Sequence, residues 1–104
     1  MDRNHFLKVV EKTLEGDRQV DYGDASKNFA RIARMWEVIF GHQVTLEQVH
    51  LCMIAVKKSR LVHSPGHQDS WVDIAGYAAL AAELKELPQT IQIFGERNEP
   101  QQID

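Results

Sequence analysis

An all-α fold, arranged as an antiparallel four-helix bundle, is predicted by three observations. Four segments carry apolar residues at the three-and-four spacing that lines one face of a helix. The connections between them are short and polar, which favours antiparallel neighbours. The chain has 104 residues, 43% hydrophobic and 26% charged, enough for one globular domain and too short for two. A single helical domain is expected over residues 1–95, with a flexible tail over 96–104. A bundle this small leaves much surface exposed, so a homo-oligomer is expected.

The first helix is expected at about residues 4–14, where Phe6, Val9, Val10 and Leu14 share a face. Gly16 is the natural stop, in a left-handed C-terminal conformation. Residues 17–23 read as a polar turn. The second helix is expected at about 24–40, with Asp24 as N-cap. Its stripe is Phe29, Ile32, Ala33, Trp36, Ile39 and Phe40, and Gly41 ends it. The third opens on Thr45 and Gln48, spaced as a capping box. Val49, Met53 and Val56 mark one apolar row, and Leu51, Ile54 and Leu61 another, so this helix is expected to be covered on two sides. It ends near Val62 or His63, before Pro65-Gly66. The fourth runs from Asp69 or Ser70 to about Glu86. Trp71, Ile74, Ala75, Ala78, Ala79 and Ala82 give it a narrow face of small residues that lets a neighbour approach closely. Pro88 stops it, and residues 91–94 read as a short extended segment. Trp36 and Trp71 are expected as core or interface anchors.

Charge and cysteine content narrow the function. The formal charge is −3, whereas a generic nucleic-acid binder is normally basic. Cys52 is the sole cysteine, so there is no intrachain disulfide and no cysteine-rich zinc site. It reads as a small buried hydrophobe. There is no signal-like apolar run near the start, and no stretch approaches the ~18–20 apolar residues that span a bilayer. A cytoplasmic location without membrane contact is expected. Walker-type phosphate loops and Gly-x-Ser-x-Gly turns are absent.

Three clusters could carry chemistry. Asp69 and Asp73 lie four apart on a helix, so their carboxylates project from one face, as oxygen ligands for Mg²⁺ would. The alternative is that Asp69 caps the helix and Asp73 is solvated or paired with a base. Lys57, Lys58, Arg60, His63 and His67 gather at the end of the third helix and in the loop after it. Such a mixed site suits phosphate, bases binding oxygens directly and carboxylates through metal. A solvated basic helix end is the alternative. His63 and His67 with an aspartate would supply three zinc ligands, but their spacing crosses Pro65. Tyr22-Gly23-Asp24 precedes the second helix, with Asn28 one turn in. There a helix N-terminus can receive an anion, Tyr22 can stack on a base and Asn28 can read a base edge. The alternative is a tight turn with an N-cap.

Tyr22-Gly23-Asp24, Asn28-Phe29, Ile32, Trp36, Lys57, Arg60 and His67 to Tyr77 together resemble a family of small phage and prophage proteins. That family looks related to the MazG-like all-α nucleotide pyrophosphohydrolases. Asp69-Ser70-Trp71-Val72-Asp73-Ile74-Ala75-Gly76-Tyr77 is the most specific stretch. The resemblance implies an oligomeric, nucleotide-handling helical module. In the enzymes two acidic pairs hold Mg²⁺ against a nucleoside triphosphate and pyrophosphate leaves. Asp69 and Asp73 would be one pair, with Glu37 or Glu47 adding a ligand and Lys57 and Arg60 holding phosphates. The second acidic pair is missing. The resemblance therefore implies a nucleotide or nucleotide-derived phosphate ligand, sequestered or hydrolysed. A helical protein-interaction adaptor is the alternative. Because the third and fourth helices are joined by a short turn, Lys57, Arg60, Asp69 and Asp73 are expected to meet in one pocket, with Asp73 paired to Lys57 or Arg60.

Overall fold

Local signals set most helix ends in the computed structural model, which describes residues 1–16 and 25–95. Helix α1 spans Arg3–Glu15, and the Asp2 carboxylate accepts from the His5 N–H at 2.8 Å as its N-cap. Gly16 closes it with an N–H bond to Lys12 O of 2.9 Å. Gly16 is not left-handed as expected, since its φ is −104°. A Cβ there would lie 3.0 Å from Lys12 O, so closeness to that carbonyl is what suits glycine at this position. Helix α2 spans Ala25–Phe40; the expected Asp24 cap lies outside the described residues, as do Tyr22 and the tail 96–104. Gly41 ends α2 at a φ of 77°, a left-handed turn that glycine adopts without a steric penalty.

Helix α3 spans Leu46–His63 and carries the expected capping box. The Gln48 N–H donates to Thr45 Oγ1 at 3.1 Å, and the Thr45 N–H to Gln48 Oε1 at 2.9 Å. Helix α4 spans Gln68–Leu84 with His67, not Asp69 or Ser70, at the N-cap. Asp69 lies in its first turn, where a carboxylate favours the helix dipole. Helix α5, Gln89–Phe94, replaces the expected extended segment. Pro88 ends α4, but its fixed φ of −54° also suits a helix start, and its carbonyl accepts from the N–H groups of Ile91 and Gln92.

The described residues are thus all-helical, in five helices with no strand. The α3–α4 hairpin is the most extensive contact; α1 packs on α4, and α2 and α5 pack on α3. Lys57 meets Asp73 near the turn and Glu47 meets Lys85 at the far end, so the two helices are antiparallel. The core joins Phe29 and Ala33 of α2, Val44, Leu46 and Val49, and Tyr77 and Leu84 of α4, with Trp36 packed against it.

Several expected faces turn outward. Ile39 and Phe40 are exposed, as are Leu51, Cys52 and Val56, whereas Ile54 and Leu61 of the second α3 row are covered. On α4, Ala78, Ala79 and Ala82 are exposed. Its inward stripe is Ser70, Asp73, Tyr77, Leu80 and Leu84, none of them exposed. The physical reason is area: Tyr77, Leu80 and Leu84 remove far more apolar surface from water than three alanines. Trp71 is a half-exposed staple and not a core anchor, its indole N–H donating to Pro65 O at 3.0 Å. Leu46→Ala should therefore destabilise by about 2–5 kcal/mol, whereas Leu51→Ala should stay within about 0.5 kcal/mol. Urea unfolding of both variants checks the assignment; equal effects would contradict it.

Candidate functional site

Lys57 falls on the inward stripe of α3 and Asp73 on that of α4, so the hairpin seam carries one charge from each helix. Lys57 Nζ lies 3.0 Å from Asp73 Oδ2, and the two side chains are only 19% and 18% exposed. Partial burial takes water from both charges, so each is better placed with the other than alone. Around this pair the turn presents exposed Arg60, His63 and Asp69. His67 is half-buried and fixed by Ser70, with Nδ1 to Oγ at 2.8 Å. Ser70 is fully buried, so this contact locks the turn and does not expose a nucleophile.

The structure thus brings Lys57 and Asp73 together as expected, with Arg60, His63, His67 and Asp69 along the same turn. Asn28 lies elsewhere, on α2, where its Oδ1 accepts from Arg31 at 3.4 Å. Among the described residues no three His, Cys, Asp or Glu side chains group as metal ligands.

Both additional carboxylates already have a basic partner. Glu37 is gripped by Arg34 through two bonds of 2.9 and 3.0 Å, and its Oε2 accepts from the Val44 N–H at 2.8 Å. The Val44 N–H, then Arg34, hold the Glu37 carboxyl below the ordinary carboxylate range. Arg34 also donates to Val44 O at 2.8 Å and Phe94 O at 3.1 Å, and its guanidinium lies over the Phe94 ring. The sequence reading missed this clamp, although Arg34 three residues before Glu37 was its signal. Glu47 pairs with Lys85.

His50 was also missed as a structural residue. It is 2% exposed, its ring 4.5 Å from Phe29 and 6.5 Å from Tyr77. Its Nδ1–H donates to Leu46 O at 2.7 Å. Burial pushes its pKa below the ordinary 6.5, outweighing that bond.

With this geometry the relatives can be placed. Residues 5–85 match the model of a family described as Domain of unknown function (DUF6378). The chain belongs to this family. The DUF6378 match runs from α1 to the end of α4, so it includes the whole α3–α4 turn and stops before α5. The Gene 55 protein of Mycobacterium phage L5 is 40% identical over 85 residues, covering 81% of this chain and 54% of that relative. The Gene 55 protein of Mycobacterium phage D29 is 29% identical over 83 residues, covering 80% and 55%. A phage origin fits these relatives. The chain spans about half the length of the curated relatives it matches. No solved structure matches. Among the described residues, no helix is long and apolar enough to cross a membrane.

Two outcomes follow from the buried charges. A double-mutant cycle on Lys57→Ala and Asp73→Ala should give a coupling of about 1–2 kcal/mol. The exposed Glu47–Lys85 pair should give no more than about 1 kcal/mol. For His50, the unfolded chain takes up a proton at higher pH than the folded one. Stability should therefore be full above pH 6.5 and fall as the pH drops through 6.5 towards the lower folded value. Denaturation midpoints of parent and His50→Gln across that window test this, because the variant should lose that part of the slope.

Proposed function

We propose that this DUF6378 domain is a MazG-like helical module that binds a nucleotide or nucleotide-derived phosphate ligand at the α3–α4 turn. The observation that carries the reading is the half-buried Lys57–Asp73 pair beneath a turn bearing Arg60, His63 and His67. A polyanion satisfies the exposed bases and competes with Asp73 for the Lys57 ammonium. Arg60 offers the planar fork that suits phosphate oxygens. Asn28 on α2, and Tyr22 and Asp24, which lie outside the described residues, stay in the reading only as groups expected to contact the base and sugar.

The residues present do not fit a resident Mg²⁺. Asp73 already has a cation, Asp69 is exposed, and Glu37 and Glu47 are paired with Arg34 and Lys85. Mg²⁺ therefore enters this reading only as an ion accompanying the ligand's phosphates, with Asp69 and Asp73 as its nearest carboxylates, and no hydrolytic step is assigned. Binding without turnover, as in sequestration, suits this set better than pyrophosphate release. The place of action would be the cytoplasm, the host's for a phage protein.

A second reading, a protein-interaction adaptor, is favoured by the large apolar side chains exposed on α2. Titration calorimetry with a panel of ribo- and deoxyribonucleoside triphosphates, with and without Mg²⁺, separates the two. Heat from at least one nucleotide is expected, lost in Arg60→Glu while helix content stays native. Silence across the panel would reject nucleotide binding and leave the adaptor.

A further inference from the structure

Two surfaces are unused by the α3–α4 turn. The first is a groove of about 430 Å³ between α1 and α4, walled by Leu7, Val10 and Leu14 on one side and Ala79 and Leu80 on the other. Glu11, Glu15 and Glu83 rim it, and among the described residues no basic side chain lines it. Among the described residues none of these three carboxylates has an ion-pair partner. Three unpaired negative charges over an apolar floor select an occupant that is cationic and apolar at once.

The second surface has that chemistry. On α2, Lys27, Arg31, Met35 and Ile39 recur every four residues, with Val38 beside Ile39, and form one stripe that is half-exposed at Lys27 and exposed beyond it. Val38 is 85% and Ile39 70% exposed. The stripe holds no carboxylate, and neither Lys27 nor Arg31 has an ion-pair partner among the described residues. The lengths agree as well. Leu7 to Leu14 covers about 10 Å of helix axis and Arg31 to Ile39 about 12 Å, at 1.5 Å per residue. The small side chain of Ala79 leaves room for a helix to settle close to α4.

We propose that the outward stripe of α2 in one copy of this chain docks into the acidic-rimmed groove between α1 and α4 of a second copy. Met35, Val38 and Ile39 cover the apolar floor, and Lys27 and Arg31 meet the rim carboxylates. The contact joins two different patches, so each copy offers both a stripe and a groove, and assembly proceeds head to tail into a ring or an open chain. The proposal does not rest on the nucleotide reading, although Arg31 donates to Asn28, one of the groups which that reading assigns to the base and sugar.

The test is a charge swap on the full chain, read by light scattering over a micromolar-to-millimolar concentration series. The parent should grow in mass above 11.9 kDa as concentration rises, and less so at high salt. Glu11→Lys with Glu83→Lys should weaken self-association roughly tenfold or more, and so should Lys27→Glu with Arg31→Glu. Mixing the two double variants should restore assembly, because each then supplies the charge complement of the other. Val38→Asp, at a site with no part in the core, should also remain monomeric, with circular dichroism reporting native helix content. A parent that stays monomeric overturns the proposal. So does a mixture no larger than its components. A groove variant that associates as the parent does also overturns it, since the α2 stripes would then be meeting each other.

Discussion

The ammonium–carboxylate contact between Lys57 and Asp73 is the constraint on which the hairpin turns. Both residues sit where an apolar side chain would ordinarily pack, one on each inward stripe. Sliding α3 along α4 by a single helical turn would part the two charges within the seam, which disfavours that register. The pair thus selects one alignment among those that hydrophobic matching alone would allow. The remainder of the fold builds on that alignment, since α1, α2 and α5 each pack against one arm of the hairpin.

Elements with a local cause were legible in the sequence. The Thr45–Gln48 capping box, the stop at Gly41 and the tight turn at Pro65-Gly66 depend on residues within a few positions of one another. Faces were less legible, because a face is chosen by what lies opposite. The alanines of α4 look like a packing surface on a helical wheel, but the partner helices take Tyr77, Leu80 and Leu84. The inward stripe was hidden because Ser70 and Asp73 belong to it and do not count as apolar. Leu51, Cys52 and Val56 misled in the opposite way, being apolar residues on a side of α3 that no described helix covers. The hairpin geometry was legible to the extent that chain length fixes it, and the Lys57–Asp73 pairing follows from that geometry.

The Arg34–Glu37 clamp shows how a residue type can suggest the wrong chemistry. A lone glutamate on a helix invites a metal reading. Here it neutralises an arginine, and together they satisfy both backbone groups of Val44. Arg34 then reaches Phe94 in α5, beyond the span of the family match, so one guanidinium ties the shared four-helix portion to a segment outside it. The Arg34–Glu37 spacing is local, but periodicity does not show the rest of this part-exposed network, whose backbone partners Val44 and Phe94 lie 10 and 60 residues from Arg34.

The two tryptophans sit in unlike surroundings. Trp36 packs against the core, whereas Trp71 stands half in water at the α3–α4 turn with its indole tied to Pro65. The molecule therefore carries two optical reporters with separate assignments. Quenching by a small aqueous solute reaches Trp71 first, and emission from Trp36 shifts to the red only when the interior is opened. A change at the turn that leaves the helices intact is thus distinguishable, in intrinsic fluorescence and without any attached label, from loss of the fold.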